Sequence, residues 1–184
     1  KYTAVHWGNS FNRKEKSVLT QWIQEVRGKH YVPGLACTEF AYEPVQPIMD
    51  SLPVDPAKVA LGFKLYHDVR ISANNTVSCA TCHPLDNAGV DGLKTSTGIY
   101  DQKGFINAPT VYNAALNTVG QFWDGRAKDL QAQAGGPPLD GLEMGSNWEE
   151  ITGKLKADQE MVKEFAALYP EGITENSITD AIAE

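Results

Sequence analysis

Apolar positions recur with helical spacing in five stretches of this chain, and capping residues open most of them. In the first, Asn12 and Glu15 have capping-box spacing, and Val18, Leu19, Trp22, Ile23 and Val26 form one stripe. Arg27 and Gly28 then read as a basic last turn and a terminating glycine. Asp55 followed by Pro56 predicts a second helix start, with Val59, Gly62, Phe63 and Tyr66 sharing a face. Asn147 and Glu150 cap a third helix that turns Trp148, Ile151 and Leu155 inward. Val162, Phe165 and Tyr169 mark a fourth, and Thr174 opens the last. Between these stretches the pattern lapses. Residues 31–56 are proline-rich and irregular and read as a long connector; the first helix and this connector make up an N-terminal extension (1–52), and 53–184 the main domain. From Asn74 to about Phe122, glycine, asparagine, threonine and proline dominate without a period; a loop of that length is usually functional. Strand alternation is scarce, so the predicted class is all-α with long loops.

Composition narrows the picture modestly. The 184 residues suffice for a core without staples, and 42% are apolar. No apolar run is long enough to span a bilayer. A net charge of −7 argues against a nucleic-acid partner, which would demand a basic face. The chain opens at Lys1 with no signal-like stretch and stops inside a helical pattern at "ITDAIAE". Both ends read as cut, which predicts a piece of a longer protein.

The chemistry gathers in "SCATCHPL", residues 78–85. Two cysteines separated by two residues and followed at once by histidine form the attachment pattern of c-type haem. Two thiols on one short turn can each form a thioether with a vinyl group, and the adjacent histidine meets the iron from below. On this reading Cys79 and Cys82 anchor the haem and His83 is the axial ligand. Structural zinc would want four nitrogen or sulfur ligands, and only Cys37 and scattered histidines remain. A thioredoxin-like pair would need a strand before and a helix after, which "NNTVSCATCHPL" does not offer. Cys37, alone in "PGLACTEF", reads as a partly buried free thiol. His30 and His67 end helices, where a basic group complements the dipole, and His6 reads as a surface or packed residue.

The flanks carry a resemblance. "LGFKLYHDVRISANNTVSCATCH", "TSTGIYDQKGFINAPTVYNAALN" and "GQFWDGRAKDLQAQAGGPPLDGLEMG" resemble the N-terminal, peroxidatic haem domain of bacterial diheme cytochrome c peroxidases, over roughly residues 53–184. That family also contains the enzyme that matures tryptophan tryptophylquinone. The resemblance implies a cytochrome c-like fold, covalent haem c at Cys79, Cys82 and His83, and hydrogen peroxide as substrate. It implies that Trp123 lies between two haems and passes electrons, that Gln133 and Glu143 line the distal pocket, and that Asn107 contributes to a calcium site between domains. Peroxide must lose a proton from one oxygen and gain one on the other, work a carboxylate such as Glu143 can do; burial in "GLEMG" would raise its pKa. Gln133 can orient peroxide through its amide.

Two departures from that family stand out. Many members carry a histidine in the loop that here reads "GIYDQKG", residues 98–104, where Ile99 and Tyr100 stand instead. The expectation is a haem that is five-coordinate or water-ligated from the start, or one capped by Tyr100. The chain also lacks a second C-x-x-C-H, so a second haem domain must come from elsewhere. "VHWGNSFNRKEKSVLTQWIQEVR" resembles the end of the haem-binding segment that precedes longer, three-haem members, in which His6 would face an upstream haem. Further expectations are a small cytochrome c or copper protein as electron donor, a homodimer, and a periplasmic or otherwise extracytoplasmic location, where bacterial haem attachment takes place. Two readings compete: a monohaem electron carrier with Met144 or Met161 as second axial ligand, and oxidation of a protein substrate on the same scaffold.

Overall fold

The computed structural model describes residues 12–30, with side chains to residue 25, together with 51–117 and 119–184. Two compact units result, Lys1–Leu52 and Pro53–Glu184, and each is described by itself. His6, Cys37 and the connector residues 31–50 lie outside the described residues, as do the side chains of Val26, Arg27, Gly28 and His30.

In the first unit, α1 (Arg13–His30) is a single helix. Its start is the anticipated reciprocal box: the Asn12 amide donates to Glu15 Oε2 at 2.8 Å and the Glu15 amide to Asn12 Oδ1 at 3.0 Å. Gly28 does not end the helix, which continues to His30; a glycine inside a helix costs only about 1 kcal/mol. The stripe residues Val18, Leu19, Trp22 and Ile23 are exposed.

The second unit is built from α2 (Pro56–His67), α3 (Cys79–Cys82), α4 (Leu130–Ala134), α5 (Trp148–Lys156), α6 (Gln159–Leu168) and α7 (Glu175–Ala183). Strands are absent among the described residues, apart from the isolated bridges Thr97–Lys103 and Gln121–Ala127. Helix starts fall where side-chain oxygens meet orphan amides. Asp55 accepts from Ala57, Asn147 from Glu150, Asp158 from Glu160 and Met161, and Thr174 from Ser177. No helix among the described residues is long and apolar enough to cross a membrane.

Leu61 and Leu65 of α2, Ile151 and Leu155 of α5, Met161 and Phe165 of α6, and Ile178 of α7 form one buried cluster with Ile71, Ile99 and Met144. Trp148 and Val162 pack against it while staying half-buried. The expected α2 face needs correction. Leu61, Gly62 and Leu65 face the core, whereas Val59 and Phe63 are exposed and Tyr66 points toward the C-x-x-C-H turn. The reason is the α2–α7 crossing. A Cβ built on Gly62 would lie 1.8 Å from the Ala181 carbonyl oxygen, so only glycine lets the two backbones meet there. Polar contacts seal the same seam: Lys58 Nζ pairs with Asp180 at 2.6 Å, and the Tyr169 hydroxyl donates to Asp180 at 2.8 Å. His67 ends α2 with Nδ1 2.9 Å from the Phe63 carbonyl.

Two outcomes follow. Alanine normally stabilises a helix relative to glycine, but Gly62→Ala is expected to destabilise this unit by about 1–3 kcal/mol, visible as a lower urea midpoint. Lys58, and then Tyr169, hold the Asp180 carboxyl below the usual carboxylate range. Its stabilising contribution is therefore present above the unfolded-state pKa and is lost as pH falls through the lower folded value. Asp180→Asn should weaken the pH dependence of stability on the acid side, measured as unfolding midpoints between about pH 5 and 2.

Candidate functional site

Ser72, fully buried, shapes the approach to the cysteine turn. Its hydroxyl donates to the Val69 carbonyl at 2.8 Å and accepts from the Thr76 and Val77 amides, both at 3.1 Å. The chain then enters α3 through Ser78 and Thr81: the Ser78 amide donates to Thr81 Oγ1 at 3.0 Å and the Thr81 amide returns to the Ser78 carbonyl at 3.1 Å. One turn of helix thus carries Cys79 and Cys82, and His83 closes it, its amide donating to the Cys79 carbonyl at 3.0 Å.

The His83 ring has a fixed role. Its Nδ1 lies 3.1 Å from the Gly89 carbonyl, which can only accept, so Nδ1 carries a proton, and in the neutral tautomer this leaves the lone pair on Nε2. From the other side, the Tyr66 hydroxyl of α2 donates to the His83 carbonyl at 2.5 Å. Burial keeps that phenol protonated by raising its pKa. Sequence reasoning placed Tyr66 on a helix face and missed this contact; nothing in its spacing signals a bond to a main-chain carbonyl.

The two thiols are free and half-buried. Burial pushes Cys79 up to about 12 and also raises Cys82, where Asp91 adds to the effect. Such thiols stay protonated at neutral pH, unlike the thiolates of redox pairs and zinc sites. Among the described residues no group of three or more His, Cys, Asp or Glu side chains could hold a metal ion. Free thiols on one turn and a histidine with Nε2 available fit a covalently held haem by the chemistry of the donor set.

Glu143 sits on a tight turn organised by Asp140, whose carbonyl accepts from the amides of Glu143, Met144 and Gly145 and whose carboxylate accepts from the Leu142 amide at 2.8 Å. The turn is stitched on both sides: the Ala73 amide donates to the Met144 carbonyl and the Ile99 amide to the Glu143 carbonyl, each at 2.9 Å. Gly98 is required for this approach, because a Cβ there would lie 1.9 Å from the Leu142 carbonyl oxygen. The Glu143 side chain keeps exposed surface, yet the protein around it still raises its pKa by desolvation; Asp140 adds to the rise and Arg126 opposes it. Its charge also helps to raise both cysteines, which places Glu143 within electrostatic reach of the C-x-x-C-H turn. The loop 98–104 runs beside it, with the Gln102 side-chain Nε2 donating to the Gly141 carbonyl at 3.0 Å. Tyr100, at its tip, is 69% exposed and takes a left-handed backbone, φ 54°.

Trp123 and Asn107 meet directly: the indole Nε1 donates to the Asn107 carbonyl at 3.1 Å, and the rest of the Trp123 side chain is largely exposed. Arg126, three residues on, stacks 3.6 Å above the Phe122 ring and pairs with Asp124 at 3.0 Å. It is the second contributor missed in the sequence, although it belongs to the quoted motif. Gln133 is half-buried on α4, which Asp129 caps and which packs against α7. Among the described residues no hydrogen bond joins Gln133 or Trp123 to Glu143 or His83. Met144 and Met161 are buried within the apolar core, so the electron-carrier reading gains no solvent-facing thioether from them.

An all-α domain with this turn at its rim has the architecture of a cytochrome c-like haem domain. Residues 56–184 match the family described as Di-haem cytochrome c peroxidase. The chain is 51% identical over 185 residues to the cytochrome c peroxidase Ccp of Escherichia coli, covering all of this chain and 40% of that protein. It is 42% identical to the cytochrome c551 peroxidase of Nitrosomonas europaea, covering 78% of this chain and 43% of that one. The crystal structure of a MauG-like protein associated with microbial copper homeostasis superposes with a TM-score of 0.63 at 31% identity, over 71% of this chain and 40% of that one. The chain belongs to the di-haem cytochrome c peroxidase family, whose cofactors are haems. It spans about two fifths of the length of these relatives.

The shared electrostatics of Glu143 and the cysteines can be checked without haem. In the haem-free chain, Glu143→Gln should lower the pH midpoint of alkylation at both Cys79 and Cys82; unchanged midpoints would separate Glu143 from the turn.

Proposed function

We propose that this chain is the peroxidatic domain of a cytochrome c peroxidase that reduces hydrogen peroxide to water. The observation that carries the reading is the Glu143 turn, stitched at residues 73 and 99 beside the C-x-x-C-H turn, with a carboxyl whose pKa is raised. Cys79 and Cys82 would hold haem c through thioethers, and His83 Nε2 would ligate its iron. When bound, the haem supplies the redox centre at which the O–O bond of peroxide is cleaved.

The chain's own groups would do the rest. Glu143, ionised, takes a proton from peroxide and, once protonated, returns it to the departing oxygen. Desolvation and Asp140 raise its pKa and Arg126 opposes the rise. Gln133 would hold peroxide in register by its amide. Trp123 would stand on the electron route from a second haem domain, supplied by a small cytochrome c or copper protein. Asn107 spends its main-chain carbonyl on Trp123, leaving its side-chain oxygen for a calcium ion. The loop 98–104 offers Tyr100 in place of a histidine, which supports a haem that needs no histidine release. The E. coli relative matches residues 1–52 as well, and an upstream haem-binding segment faced by His6 belongs to this reading. Covalent haem attachment supports an extracytoplasmic, periplasmic location, and a homodimer belongs to the same reading.

The test is peroxide turnover by the haem-loaded, full-length protein. Glu143→Gln should lower kcat by about 10²–10⁴-fold and remove the acidic limb of the pH–rate profile. Undiminished turnover in that variant would overturn the role of Glu143. No turnover in the parent would favour an electron carrier or an oxidase of a protein substrate.

A further inference from the structure

The segment 110–112, part of "INAPTVYN", has no part in the chemistry above, yet it grips the loop that follows His83. Thr110 Oγ1 donates to the Ala88 carbonyl at 2.7 Å. The Tyr112 hydroxyl donates to the Leu85 carbonyl. The two arms are tied together, since the Tyr112 amide donates to Thr110 Oγ1 at 3.1 Å. Between them Val111 closes on Gly89, where a Cβ would lie 2.8 Å from Val111 Cγ2. Ala88 and Gly89 both hold left-handed backbones, φ 55° and 68°, a conformation that costs alanine about 1 kcal/mol and persists because outside contacts enforce it.

What this clamp fixes is the Gly89 carbonyl, the acceptor of the His83 Nδ1 proton. The His83 bond, at 3.1 Å, lies toward the long end of the normal range. A hydrogen bond at the far nitrogen fixes the tautomer of a metal-binding histidine and raises its basicity, and in haem proteins such bonds shift the iron potential. We propose that Thr110 and Tyr112 are positioning residues for His83: their hydroxyls hold the loop carbonyl to which its ring donates, and so set how strongly this histidine donates to haem iron. The proposal rests on His83 as the haem ligand and requires nothing of peroxide.

The experiment uses the full-length, haem-loaded protein with Thr110→Val, Tyr112→Phe, the double variant and Thr110→Ser. Resonance Raman of the ferrous high-spin haem reads the iron–histidine stretch, and potentiometry reads the midpoint potential. The stretch should move to lower frequency and the potential upward in Thr110→Val, further in the double variant, with Thr110→Ser restoring both. An unmoved stretch and potential in the double variant, even with a lower melting temperature, would overturn the proposal, because a merely structural clamp predicts that pattern. Should Thr110→Val fail to fold, Tyr112→Phe carries the same test through a half-exposed side chain. Shifts seen in a protein that does not turn over peroxide would uphold the clamp while sinking the peroxidase reading; a parent with no histidine-ligated haem would sink both.

Discussion

The approach of two backbones at Gly62 and Ala181 governs this domain. With no side chain at 62, the first and last helices of the unit close on one another, and Leu61 and Leu65 drop into the space shared with Ile178 and Phe165. Tyr66, the residue after Leu65, points out of that core and meets the His83 carbonyl. One helix thus contributes to both the core, through Leu61 and Leu65, and the Tyr66 contact at His83.

The sequence was most legible where side chains make local bonds. Asn12, Asp55, Asn147 and Thr174 cap helices as their spacing indicates, because capping is settled within three residues. Spacing grouped Val59, Gly62, Phe63 and Tyr66 on one face of α2 but did not say which face is buried, because Val59 and Phe63 are as apolar as the leucines; the partner helix discriminates, through the close approach at Gly62. The five residues of α4 are too short for a period to show. The long middle loop was recognisable as a loop, but its register was not. Its decisive contacts join main-chain atoms, Ile99 to Glu143 and Ala73 to Met144, and these leave no trace in residue type beyond Gly98.

For the site, the C-x-x-C-H turn and the quoted motifs supplied every residue in the proposed chemistry, whereas the groups that tune them came from the structure. Arg126 is an instance. It is held by Asp124 and the Phe122 face, and its charge opposes Asp140 at the Glu143 carboxyl. A carboxyl between a like and an opposite charge is more finely set than desolvation alone would leave it. The motif "FWDGR" thus contributes two distinct things, an indole bonded to the Asn107 carbonyl and a guanidinium that acts on a turn 17 residues further along the sequence.

The buried thiols carry a consequence for biogenesis. Burial pushes Cys79 up to about 12 and raises Cys82 as well, so in the folded, haem-free domain both thiols favour the protonated form. A folded, haem-free domain is then a sluggish partner for thioether formation, since the reactive form is the one that burial suppresses. For the covalent attachment proposed above, this would favour an order in which the cysteines react while the chain is still open and folding follows.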